Sequence, residues 1–249
     1  MAVATNRMKE MSWTTFLERK KQTDLVIIPT GACEVYGPHL PMGSDMLVAT
    51  KLAELVAERV HAIIGPSLEV GDSSALDDFP GTITITPDSF KGYLKDVVDS
   101  LVKWGFTNFL FINGHAGNVA MVNHVSQTLR ERPQLRCAQI DCWRFIKAQD
   151  QGIVESGEVA HGHAGEAGTS VLLYLYPELV DLVQAVDEVP KQKDSFPDVI
   201  KYARYGTKTE LGTIGYPSLA SREKGEALIQ RSVDRISLFL HETWNVSYK

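Results

Sequence analysis

Three short stretches of this chain crowd residues able to hold a metal ion into loops stiffened by glycine and proline. The first, at 31–45, reads GACEVYGPHLPMGSD and carries Glu34, His39 and Asp45. The second, NGHAGN at 113–118, carries His115, and the third, HGHAGE at 161–166, carries His161, His163 and Glu166. Carboxylates and imidazoles offer oxygen and nitrogen donors at neutral pH, the ligand types that hard and borderline divalent ions take. Each stretch has a purely structural reading as well. Asp45 would cap the helix that follows it, His39 would hydrogen-bond to backbone, and Glu166 would be an acid in a first helical turn, favoured by the helix dipole.

The elements around these stretches decide how they can meet. An apolar run at 25–30, LVIIPT, reads as a buried strand that empties into the first stretch, and residues 109–112, FLFI, do the same for the second. Between them lie a helix over 46–60, with Leu47, Ala49, Leu52, Leu55 and Val56 on one face, a short strand at 62–66 and a β-branched strand at 79–85. Thr86-Pro87-Asp88 starts a further helix, with a cap residue, proline at the first helical position and an acid in the first turn; Gly105 stops it. Helices are expected over 119–132, 165–176 and 221–244, a strand over 135–143, and an early helix capped by Ser12. Strands alternating with helices argue for a parallel sheet covered on both faces. In such a sheet the strand-to-helix junctions converge on one edge, so Glu34, Asp45, His115, His163 and Glu166 are expected around a single crevice. His61, His124 and His241 read as structural or surface residues, Cys137 and Cys142 as packing, and the irregular segment 184–220 as a flap or subunit contact.

Composition narrows the partners. The chain has 249 residues, 44% hydrophobic and 22% charged, which suits one globular domain spanning 1–249. A net charge of −6 disfavours nucleic acid or an anionic membrane and leaves a small-molecule substrate. Three cysteines are too few for a disulfide framework, and neither a signal peptide nor an apolar span is legible, so a cytoplasmic setting is expected.

On these residues the chain resembles the creatininase family of metal-dependent amidohydrolases. The opening motif stands at 31–45, FPGT at 79–82, NGHxxN at 113–118, and HAGE, continued by Thr169 and Ser170, at 163–170. The resemblance implies a three-layer α/β/α sandwich with a mostly parallel sheet. It also implies a homo-oligomer, a hexamer or dimer-based assembly, and one or two divalent ions per chain, zinc, manganese or iron. Position by position, Glu34 and His115 match ligands of the first metal, Asp45 the carboxylate that bridges two, Glu166 an acid able to reach the second, and His163 a proton shuttle. Two positions depart from the pattern: Tyr36 stands where the family has a histidine ligand, and Gly168 where it has a glutamate. A neutral phenol is a poor ligand, because its proton leaves only near pH 10. One ion per chain, held by Glu34, Asp45, His115 and Glu166, is therefore the preferred expectation; the alternatives are a phenolate of metal-lowered pKa that fills the second position, and a Tyr36 that acts as a catalytic acid or substrate donor.

The reaction expected is attack of a metal-bound water on the carbonyl of a small cyclic amide or formamide, with His163 or Glu166 moving the proton. Two alternatives stand beside it. One is ring-opening C–C hydrolysis of a cyclic diketone sugar of inositol type, and the other is a metal-containing binding protein without activity.

Overall fold

The computed structural model describes residues 5–190, 195, 196, 198, 199 and 201–249. Four strands, β1 (Leu25–Thr30), β2 (Ile63–Ile64), β3 (Asn108–Asn113) and β4 (Arg136–Asp141), form one sheet in the order β2-β1-β3-β4, and all of its pairings are parallel. Side chains alternate across it. Leu25, Ile27, Leu110 and Ile112 face one layer, and Val26, Ile28, Phe109 and Phe111 face the other. That period of two, apolar on both faces, is what burial on both sides demands of a parallel strand. Helices α2 (Ser44–Arg59), α5 (Cys142–Ala148), α6 (Glu166–Leu175) and α7 (Arg222–Trp244) cover the first face. Helices α1 (Trp13–Lys20), α3 (Pro87–Lys103) and α4 (Val119–Leu129) cover the second, giving the expected α/β/α sandwich.

Local signals place the helix starts. Ser12, Thr86 and Ser221 each accept a hydrogen bond from the backbone N–H three residues on, at 3.1, 3.2 and 3.2 Å, and Pro87 opens α3. Other boundaries differ from the sequence reading. Residues 79–85 make only isolated bridges, Ile83 to Cys33 and Thr84 to Gly71, because they pair with loops and not with a strand. The strand expected over 135–143 ends at Asp141, and α5 begins at once with Cys142. Asp45 is not the cap of α2: Gly43 holds that place and Asp45 lies inside the first turn. Among the described residues no helix is long and apolar enough to cross a membrane.

The strand order reverses between β1 and β3, and their last residues, Thr30 and Asn113, lie in register with Asp141 of β4. Loops leaving adjacent strands at such a reversal open a crevice at the C-terminal edge of the sheet. Two glycines let α2 settle deep into it. A Cβ at Gly31 would lie 2.6 Å from the Met46 backbone, and one at Gly114 only 2.1 Å from the Asp45 carbonyl oxygen. No side chain fits at either position while α2 stays where it is.

Candidate metal centre

The loop after β1 is pinned at both ends of its turn. The Glu34 N–H donates to the Met42 carbonyl (2.9 Å) and the Val35 N–H to the Thr82 hydroxyl (3.1 Å). The loop after β3 is tied to it through asparagines. Asn113 accepts from the Thr30 hydroxyl (2.8 Å) and donates to the His115 carbonyl (2.6 Å), while Asn118 donates to the Gly31 carbonyl (2.9 Å) and accepts from the Asp72 N–H (3.2 Å). Three loops thus meet around Glu34, Asp45 and His115, which are 2%, 2% and 5% exposed and whose ligand atoms lie within 4.8 Å of one another.

The hydrogen atoms decide what this group can hold. His115 Nε2 lies 2.8 Å from the Asp72 carbonyl oxygen, which only accepts, so Nε2 carries the hydrogen. In the neutral ring Nδ1 is then a bare lone pair, 3.0 Å from Asp45 Oδ2 and 3.3 Å from Glu34 Oε2. Three lone-pair donors converge with nothing positive between them, and burial makes that arrangement costly unless a cation joins it. Without a metal the imidazole must itself take the proton. Burial alone would lower the His115 pKa, but its hydrogen bonds to Asp45 and Glu34 and their charges hold it well above the usual range. The set of two carboxylates and one imidazole fits a divalent ion. Ser73 donates to Glu34 Oε2 (2.6 Å) and Trp143 Nε1–H to Asp45 Oδ1 (2.8 Å), orienting the carboxylates from behind as outer partners of a metal site do.

Tyr36 lies beside this group, buried, in the wall of the same crevice. Burial first, and then the Asp45 and Glu34 charges, push its pKa well above the ordinary tyrosine value, so the phenol keeps its proton. Its ring packs against His163 (centroids 4.2 Å apart) and Trp143 (6.0 Å). Gly168 beside Tyr36 and Gly117 beside His115 supply no further donor. A Cβ at Gly168 would meet Tyr36 Cε1 at 3.8 Å, and one at Gly117 would lie 2.2 Å from the Asp72 carbonyl oxygen.

His163 lies in the wall of the same crevice, with Nε2 2.8 Å from the Val35 carbonyl oxygen, so Nδ1 is its acceptor atom. Glu166 does not join the group. Its buried carboxylate accepts from Lys224 Nζ (2.6 Å), the Ser156 hydroxyl (2.6 Å) and the backbone N–H groups of Glu155 (3.0 Å) and Ser156 (2.8 Å). With its oxygens engaged this way it anchors the loop that carries the histidines, and the expectation of a ligand or proton carrier does not fit this placement. His39 also stands apart: it is 2% exposed, and its Nε2 lies 2.9 Å from the Thr169 hydroxyl.

A cavity of about 450 Å³ opens onto the group. Trp143, His161, His163 and Tyr205 line it, with Leu76 and Lys208. One wall comes from the irregular segment before α7, which is fastened to the loop at 72–78 by an Arg204–Asp77 ion pair (2.9 Å) and a Gly206 N–H to Asp78 bond (3.1 Å). Sequence reasoning missed Trp143, Ser73 and Tyr205. No motif marks them, and each reaches the site only because the chain brings its element there.

A family model, described as creatinine amidohydrolase, matches residues 9–240. The chain belongs to the creatininase family. A creatinine amidohydrolase of Pseudomonas putida is 31% identical, the match covering 94% of this chain and 95% of that one. A mycofactocin precursor peptide peptidase of Mycobacterium ulcerans is 28% identical over 84% of this chain and 81% of its own length. A 3-dehydro-scyllo-inosose hydrolase of Thermotoga maritima is 30% identical over 73% of this chain and 60% of its own length. A solved structure titled "Creatininase Mn" superposes with a TM-score of 0.85 at 28% identity, covering 96% of this chain and 98% of its own. Members of the family are metal-dependent amidohydrolases acting on C–N bonds, and this chain is a hydrolase of that type.

Proposed function

We propose that the chain hydrolyses the C–N bond of a small cyclic amide or formamide at one divalent ion held by Glu34, Asp45 and His115. The observation that carries this reading is the convergence of three buried lone-pair donors on the floor of a cavity. When bound there, the ion supplies Lewis acidity, polarising a carbonyl oxygen and acidifying water. Ser73 and Trp143 keep the two carboxylates turned inward. His163 presents Nδ1 as an acceptor for the attacking water or for a substrate N–H, its ring clamped between Tyr36 and Tyr205. Tyr36 lines the cavity beside these residues and keeps its proton. The preference for one ion rests on donor chemistry: a protonated phenol, Tyr36, stands where the family pattern has a histidine, and Gly168 where it has a glutamate. Zinc and manganese both suit the set.

Metal analysis of purified protein together with turnover of a panel of lactams and formamides tests the reading. About one ion per chain and turnover that Glu34→Gln removes are expected; hydrolysis by metal-free protein would refute it. A second reading, ring-opening of a cyclic diketone, is favoured by the inosose hydrolase relative, so cyclic ketones belong in the same panel. We also propose a homo-oligomer, supported by exposed apolar residues such as Trp13, Trp104 and Val183. Light scattering that returned the mass of one chain would rule it out.

A further inference from the structure

The chain carries a net charge of −6, yet the outer wall of its cavity is basic. Glu34 and Asp45 on the floor balance a divalent ion. Of the other lining residues only Asp72 is acidic, and its Oδ1 is engaged by the Ser74 N–H (3.2 Å), whereas Lys201 and Lys208 are basic. Three cations lie within 201–208, and two have partners of their own. Lys201 Nζ donates to the Phe196 carbonyl (3.0 Å), and Arg204 pairs with Asp77 (2.9 Å). Lys208 Nζ stands 5.9 Å from the centroid of the Tyr205 ring and meets no carboxylate among the described residues.

Tyr205 and Lys208 belong to one turn. Tyr205–Thr207 is a single turn of 3-10 helix, closed by the Lys208 N–H on the Tyr205 carbonyl (2.8 Å). It is clipped on either side of Tyr205, by the Arg204–Asp77 pair and by the Gly206 N–H on Asp78 (3.1 Å). Tyr205 therefore enters the cavity at a fixed point, edge-on to His163 with centroids 5.1 Å apart. Its hydroxyl makes no hydrogen bond among the described residues. Burial, and then the Glu34 and Asp45 charges, raise its pKa, so it remains a donor. An ammonium and a phenol O–H, both donors without an acceptor, thus stand on one turn over one cavity. A carboxylate supplies what they lack, two acceptor oxygens and a negative charge.

We propose that the turn at 205–208 is a carboxylate-binding site, and that the substrate is a small amide with a carboxylate beside the scissile C–N bond. The inference rests on the amide-hydrolase reading given above. With the amide carbonyl at the floor, the carboxylate lies against Lys208 Nζ and the Tyr205 hydroxyl. Lys208 contributes charge, and Tyr205, held at both neighbours, contributes direction. A neutral amide leaves both donors unpaired, which is how such a site discriminates. The cavity of about 450 Å³ suits one ring or one short chain with such a group.

The test uses the zinc-loaded protein and pairs of amides that differ by one carboxylate: 5-oxoproline against 2-pyrrolidinone, and N-formylglycine against N-methylformamide. The wild type should show the higher kcat/KM on the carboxylated member, chiefly through a lower KM. Lys208→Gln and Tyr205→Phe should each reduce that preference about 10-fold, the usual worth of a hydrogen bond to a charged group, and Lys208→Arg should keep it. A preference for the neutral member, or one that either variant leaves unchanged, would overturn the proposal. A second arm needs no turnover. Calorimetry should find cyclopentanecarboxylate bound about 10-fold more tightly by the wild type than by Lys208→Gln. Equal affinity would mean that zinc alone holds the carboxylate, and would overturn the site. If no amide is hydrolysed while the calorimetric difference stands, the amide-hydrolase reading fails and the carboxylate site survives it.

Discussion

Two buried carboxylates from neighbouring motifs meet opposite fates in this fold. Glu34 keeps company with Asp45 and the bare nitrogen of His115, so acceptors face acceptors and a cation is wanted. Glu166 is surrounded by donors: Lys224, the Ser156 hydroxyl and two backbone N–H groups. What separates a ligand from a strut is therefore the count of lone pairs left over after folding. Residue type and motif are alike in the two cases.

The comparison can be broken or sharpened by substitution. The largest effect is expected from His115→Ala or Glu34→Gln. Either removes a donor from the ion, and the loss of several kcal/mol of transition-state stabilisation lowers kcat/KM by about 10³-fold or more; kinetics with parallel metal analysis reads both losses. Glu166→Ala should do the reverse, leaving the metal in place and lowering stability. It removes the buried partner of Lys224, whose pairing with Glu166 and Glu155 raises its pKa despite burial; Glu155 and the Leu219 carbonyl remain to the ammonium, so the loss is about 1–3 kcal/mol. Denaturant melts of metal-loaded protein measure this, and loss of metal with stability unchanged would collapse the distinction.

His39 sharpens the comparison from a third side, as a buried imidazole with one neutral partner. Burial pushes its pKa down to about 4 from 6.5, outweighing a backbone contact at Ala164. Above pH 6.5 the group is neutral in both states and its contribution is complete. As pH falls toward 4 the unfolded chain binds the proton first, so stability drops by up to about 3 kcal/mol. Melts across that range should show the loss, and His39→Gln should flatten it. The smallest effect is expected from Trp143→Phe, which deletes one outer hydrogen bond to Asp45 and should weaken metal affinity by about 10- to 100-fold. Competition with a chelator resolves that shift.

Much of the scaffold was legible because burial on both faces writes itself as apolar runs: the strand cores at 25–30 and 109–112 and the caps at Ser12, Thr86 and Ser221 follow from local chemistry. The stretch 79–85 misled because β-branched residues also serve in single bridges, and α5 was hidden because Trp143 and Phe145 suit a strand equally well. At the site, the motifs that carry Glu34, Asp45 and His115 are readable. The engagement of Glu166 is not, since its partner Lys224 lies 58 residues further on. The Trp143 bond to Asp45 spans 98 residues and leaves no local trace either. Long-range partners decide which donors stay free, and spacing within a motif is silent about them.

The two sides of the cavity are built to different tolerances. Its floor is set by backbone contacts so close that even a methyl group at Gly31 or Gly114 would shift the first turn of α2. Its roof is fastened at Arg204–Asp77 and Gly206–Asp78, contacts made near the surface. In engineering terms the floor is a fixed chassis and the roof an exchangeable part. A search for altered substrate range should therefore diversify residues 201–208 and leave the glycines alone.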